Sequence, residues 1–125
     1  MGIISAILGN ASEVNTTKIE AEFENILIAG EQIEKAFKLY RDLVVFTNKR
    51  LVTVDKQGLT GKKTEVLSIP YKSIIRFSKE TSGRFDLDAE IKLWLSSTDL
   101  PIQFEFKKDK NIHEVYKVLS EHVLK

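Results

Sequence analysis

Residues Leu43 to Gly61, LVVFTNKRLVTVDKQGLTG, constrain the fold of this chain more than any other stretch. Two apolar, β-prone runs, Leu43–Phe46 and Leu51–Val54, flank the polar tetrad Thr47-Asn48-Lys49-Arg50, and a loop punctuated by Gly58 and Gly61 follows. Strand formers on both sides of so short a polar segment predict a tight antiparallel hairpin. Leu43-Val44-Val45-Phe46 is apolar at every position, so both faces of that strand require cover.

The pattern extends in both directions. Ile33, Phe37 and Leu39 are expected on one face of a strand, with Glu34, Lys38 and Tyr40 on the other. Only Arg41-Asp42 separates it from the next run. Val66, Leu67 and Ile69 predict a fourth strand ended by Pro70, which cannot donate to a ladder. Ile74-Ile75-Arg76-Phe77 predicts a fifth. Ile91, Leu93 and Leu95 alternate with Glu90, Lys92 and Trp94, and Ile102, Phe104 and Phe106 with Gln103 and Glu105, as in strands with one wet face. Ile112, Val115, Tyr116, Leu119 and Val123 then trace one face of a closing helix, with Asn111 and Glu114 resembling a capping box.

Before the first strand the period is helical. Ile3, Ile4, Ile7 and Leu8 form a short stripe that stops at Gly9-Asn10 and must pack on the barrel or on a neighbouring subunit. A Thr17-Lys18-Ile19-Glu20 capping box then opens a helix whose face of Ile19, Phe23, Ile26 and Leu27 runs to Gly30. The expected organisation is a helical extension over 1–30 and one β-rich domain over 31–125.

A chain of 125 residues, 42% hydrophobic and 30% charged, is the size of one domain with one core. Its 19 basic and 18 acidic residues nearly cancel, so no overall field draws it to nucleic acid. Cysteine is absent, which rules out disulfides and thiolate metal sites and suits a reducing cytoplasm. The opening MGIISAILGN lacks the basic region of a secretory signal and is too broken for a membrane span. Gly2 is followed by Ala6 where a myristoylation motif needs Ser or Thr.

About seven short strands and one C-terminal helix match the pleckstrin-homology architecture of two near-orthogonal antiparallel sheets plugged by the helix. The residues go further. Arg41-Asp42, Phe46-Thr47-Asn48-Lys49-Arg50-Leu51, Val54-Asp55-Lys56-Gln57-Gly58, Thr60-Gly61-Lys62-Lys63 and Ile69-Pro70-Tyr71-Lys72-Ser73-Ile74, in this order, resemble the bacterial pleckstrin-homology domains, a family of unknown function. The resemblance covers roughly Glu31 to the C-terminus. It implies a mainly β, PH-like barrel, a tendency to form ring-shaped homo-oligomers such as pentamers, and no catalytic activity. The motif residues also have plain turn chemistry: Asn48 tolerates positive φ, Gly58 and Gly61 permit tight loops, and Pro70-Tyr71 breaks one strand before the next.

No constellation announces a reaction. His113 and His122 lie about two and a half helical turns apart and share no face with a third ligand; His122 borders the apolar stripe and reads as a packing residue. Asp86, Asp88 and Glu90 alternate at strand spacing and could aim at a cation, yet they read as a solubilising hairpin tip. Gly58-x-x-Gly61-Lys62 lacks the length and setting of a phosphate loop. Neither a catalytic residue nor a cofactor or metal site is expected.

Lys35, Lys38 and Arg41 are the candidate anion contacts, and Lys62-Lys63 with Lys107-Lys108-Lys110 could touch anionic lipid weakly. The Arg41-Asp42 turn is too short to wrap an inositol phosphate, so membrane binding is disfavoured. The leading expectation is therefore a non-catalytic module that assembles with itself and serves a protein partner, with oligomer contacts at Ile3, Ile4, Ile7, Leu8 and the outward-facing Trp94. The alternative is a peripheral binder of anionic lipid or a small phosphorylated ligand.

Overall fold

A computed structural model describes residues 12–13, 16–39, 42–57, 63–81, 88–107 and 112–125. The expected hairpin is present: β3 (Asp42–Thr47) and β4 (Arg50–Gln57) pair antiparallel, with Phe46 opposite Leu51 and Val45 opposite Val52, leaving Asn48-Lys49 as the loop. On its two sides lie β2 (Ile33–Lys38), with the two-residue β1 (Ser12–Glu13) along its outer edge, and β5 (Lys63–Pro70). The order is β1-β2-β3-β4-β5, antiparallel throughout.

Pro70 ends β5, and a single 3-10 turn, Tyr71–Ser73, leads into a second sheet. That sheet is a three-stranded antiparallel meander of β6 (Ile74–Thr81), β7 (Asp88–Leu95) and β8 (Ile102–Lys107). The chain closes with α2 (Ile112–Val123). Phe37, Phe46, Leu51 and Ile69 of the first sheet meet Ile91, Leu93, Phe104 and Phe106 of the second, and α2 plugs the space with Ile112, Val115, Val118 and Leu119. Tyr116 and Val123 pack at its margin, so the helical stripe is as expected with Val118 added.

A second, smaller core lies on the other side of the first sheet. The helix α1 (Thr16–Glu22) and the turn after it set Ile19 and Phe23 on Ala36, Val45, Val52 and Val54. This is the cover that the doubly apolar β3 demanded, and it comes from the chain itself. The stretch from α1 to residue 30 is thus built into the barrel through its own core. The helix is shorter than its apolar stripe suggests: it ends at Glu22, and turns centred on Phe23 carry Ile26 and Leu27 under the sheet. Gly30, at φ +80°, sits in a separate turn closed by the Glu31 amide donating to the Ile28 carbonyl.

Strict alternation fails on β2. Ile33 was expected beside Phe37 and Leu39, but it packs against the α1-side core while those two line the barrel interior. A bulge between Ile33 and Lys35 inserts one residue opposite Thr47–Phe46 and turns everything before it to the other face. A second bulge between Ile74 and Arg76 does the same on β6, so Ile74 and Phe77 both face the core and Arg76 faces out beside Trp94.

Candidate functional site

The densest polar cluster forms where the β3–β4 turn meets the segment after α1. Thr47 organises the turn: its hydroxyl oxygen accepts from the amides of Lys49 and Arg50, both at 3.0 Å, while its O–H donates to Glu31 Oε2 at 2.7 Å. Arg50 leaves the start of β4 and reaches back. Its Nε donates to Glu31 Oε2 at 2.8 Å and its Nη2 to Glu31 Oε1 at 2.7 Å, a two-point pair. The same Nη2 donates to the Ile26 carbonyl at 2.7 Å, and Nη1 to Ser68 Oγ at 2.9 Å. The Ile28 amide fills the remaining position on Glu31 Oε1 at 3.1 Å.

Asn48 completes the junction. Its Oδ1 accepts from the Gln32 amide at 2.7 Å, its Nδ2 donates to the Gly30 carbonyl at 3.0 Å, and its own amide donates to the Gln32 carbonyl at 3.1 Å. The expected use of Asn48, tolerance of positive φ, is not what the turn needs: among the described residues the non-glycine positive φ belongs to Ser97. Its side chain matters instead, because it imitates a strand partner for the chain at residues 30–32.

The Glu31 side chain is 0% exposed, and its carboxyl is held down at about 2 from an ordinary 4.5. Hydrogen bonding from Arg50 is the main cause, opposed by burial and assisted by Thr47. Both carboxylate oxygens are fully occupied by protein donors. A carboxylate in that condition cannot take a proton from a substrate or ligate a metal, so the cluster is a clamp between the N-terminal segment and the barrel.

A second group sits at the C-terminal end of α2. The His122 ring stacks on Tyr71 with centroids 4.2 Å apart and 4° between planes, and its Nε2 donates to Glu34 Oε1 at 2.8 Å. The Tyr71 hydroxyl donates to the Thr47 carbonyl at 2.7 Å. Burial, then the Glu34 charge, pushes the Tyr71 hydroxyl well above the usual phenol range. His122 is a packing residue that fastens the helix, as expected. His113 is exposed and accepts from Lys79 Nζ at 2.9 Å.

Of the expected anion contacts, the two described ones, Lys35 and Lys38, do not converge. Lys35 pairs with Glu114 of α2 at 3.2 Å. Lys38 is exposed and, three residues along β2, lies on the opposite strand face. Arg41 lies outside the described residues, as do Ile3, Ile4, Ile7 and Leu8, and Asp86 of the acidic hairpin. Trp94 faces outward and is half-buried, with the Arg76 guanidinium 4.6 Å from its ring centroid. The helix α1 does not cover it, since α1 packs on the other sheet.

The barrel interior holds an apolar void of about 10 Å³ between Phe37, Phe46, Leu93, Phe104 and Leu119, on the scale of one water molecule. It has no room for a ligand. Among the described residues no group of three His, Asp or Glu side chains is placed to hold a metal, and no helix is long and apolar enough to cross a membrane.

Sequence reasoning missed the Glu31–Arg50 pair. A glutamate beside Gly30 and an arginine at the start of a buried strand are each unremarkable alone, and their separation of 19 residues has no periodic trace. The signal available was Arg50 itself, since a cation opening a strand that buries Leu51 and Val52 needs a counter-charge.

Comparison with known proteins agrees with this architecture. The family model described as Bacterial PH domain matches residues 2–123. The uncharacterized protein YjqA of Bacillus subtilis (strain 168) is 59% identical over 121 residues, covering 96% of this chain and 97% of that protein. Two crystal structures share the fold at a TM-score of 0.82. A DUF1696 family protein with a pleckstrin-homology domain from Shewanella loihica PV-4 is 44% identical, covering 93% of this chain and 99% of that one. A pleckstrin homology domain from Shewanella amazonensis SB2B is 47% identical, covering 94% of each.

Proposed function

This chain belongs to the bacterial PH domain family, and we propose that it is a non-catalytic binding and scaffolding module that assembles with itself into a homo-oligomeric ring in the cytoplasm. The observation that carries the reading is the edge of the first sheet. The eight-residue β5 is the last strand in the order, so one side of its backbone has no strand partner among the described residues, and Val66 stands 42% exposed on it. Long edge strands that carry apolar side chains invite pairing with another chain.

Two further facts support the non-catalytic part. Glu31, the buried carboxylate among the described residues, is spent on the part-buried Arg50 guanidinium, and the barrel interior is filled. The reading as a binder of anionic lipid or a phosphorylated ligand has less support, because Lys35 is tied to Glu114 and Lys38 lies on the other face of its strand. Size-exclusion chromatography with light scattering tests the proposal. A defined multimer is expected, and a monodisperse monomer at micromolar concentration overturns it.

A further inference from the structure

One cross-strand row runs the full width of the first sheet. Ser12 of β1 stands opposite Lys38 of β2, Lys38 opposite Leu43 of β3, Leu43 opposite Val54 of β4, and Val54 opposite Val66 of β5. Leu43 and Val54 belong to the second core, so the apolar part of the row, Leu43–Val54–Val66, continues the surface on which α1 packs. Its cover runs out toward β5: Val54 is 9% exposed and Val66 42%.

The opposite end of the row is where the N-terminal residues join the sheet. The sequence before Ser12 carries the stripe Ile3, Ile4, Ile7 and Leu8, which is too short to stand alone and needs an apolar surface to bury against. In its own chain the stripe is rooted four strand spacings from Val66, about 19 Å, and the exposed Lys38 stands on the row between them. A second copy offers a shorter route. Root and open end lie on opposite edges of the sheet but at one height along the strands, so a copy set beside the β5 edge in the same orientation brings its own Ser12 level with Val66.

We infer that residues 3–8 of one protomer lie on Val66 and Val54 of the next. This inference rests on the self-assembly reading and names the surfaces that meet. Donor and acceptor occupy opposite edges of one sheet, so the contact is head-to-tail and repeats in one sense from copy to copy, as closure into a ring requires. As a helix the stripe is about 9 Å long, nearly two strand spacings, which fits the strip from Val66 to Val54. The contact takes branched aliphatic side chains of both partners out of water, and it reaches the open end of the row without crossing Lys38.

Disulfide trapping reads the contact directly, because the chain has no cysteine of its own. The full chain carrying Ile7→Cys with Val66→Cys, oxidised and run on a gel without reductant, is expected to give a ladder of linked protomers that ends at the size of the assembly. Ile7→Cys mixed with Val66→Cys should give linked pairs, and Ile7→Cys mixed with Ile28→Cys, which is exposed on another part of the surface, none beyond the background of either alone. In sedimentation velocity over a dilution series, Ile4→Ser with Ile7→Ser should raise the half-assembly concentration by about tenfold or more, while circular dichroism shows the barrel still folded. A double-cysteine chain that closes its disulfide within one protomer overturns the contact by seating the stripe on its own sheet. An assembly that forms normally and gives no link overturns the contact and leaves self-assembly standing through another surface. A wild type that is monomeric at every concentration overturns self-assembly and this contact together.

Discussion

Glu31 and Arg50, 19 residues apart, close the junction between the N-terminal segment and the barrel with two parallel hydrogen bonds of 2.7 and 2.8 Å. The pair sets the pH response. Because the Glu31 carboxyl titrates near 2 when folded and near 4.5 when not, the stability it adds is complete above about 4.5 and is lost as pH falls toward 2. The contribution is on the order of 3 kcal/mol. Glu31→Gln should lower stability by a comparable amount at pH 7 and flatten the acid limb. Urea unfolding of both proteins from pH 7 to pH 3 measures this, and equal acid slopes would contradict it.

Tyr71 responds at the other end of the scale. Its hydroxyl titrates well above the usual phenol range in the folded chain, so stability should decline once pH passes about 10, where an unfolded tyrosine ionises. Tyr71→Phe keeps the stack on His122 and removes the bond to the Thr47 carbonyl, at a cost of about 1 kcal/mol. Absorbance titration at alkaline pH should show one tyrosine that ionises only on unfolding, missing from the variant.

Phe23 is 1% exposed and anchors the second core. Phe23→Ala should cost about 3 to 5 kcal/mol. Removing residues 1–30 should uncover Val45, Val52 and Val54 and make the product aggregate. A truncated chain that stays soluble, with the melting temperature of the whole, would show the second core to be dispensable.

Val66→Lys on β5 places a charge on a sheet edge without touching the interior. The folded subunit should keep its unfolding midpoint, and the oligomer should weaken by about tenfold or more if the edge contributes to assembly. Light scattering reads the second quantity and circular dichroism the first.

Leu43 to Phe46 told from sequence alone that β3 would be covered on both sides, since an apolar residue at every position leaves no wet face, and the β3–β4 hairpin, the stop at Pro70 and the α2 stripe followed from equally local rules. Those features depend on period and on neighbours within a few residues. The identity of the cover, the turning of Ile33 to the outer face and the meeting of Glu31 with Arg50 depend on which distant segments touch. A bulge changes the phase of a strand without changing its composition, and an ion pair spanning 19 residues leaves no periodicity. The same holds for the outer face of the second sheet: alternation showed that Trp94 would point outward, but only register could set Arg76 against it and bring Glu80, Glu90 and Glu105 into one row.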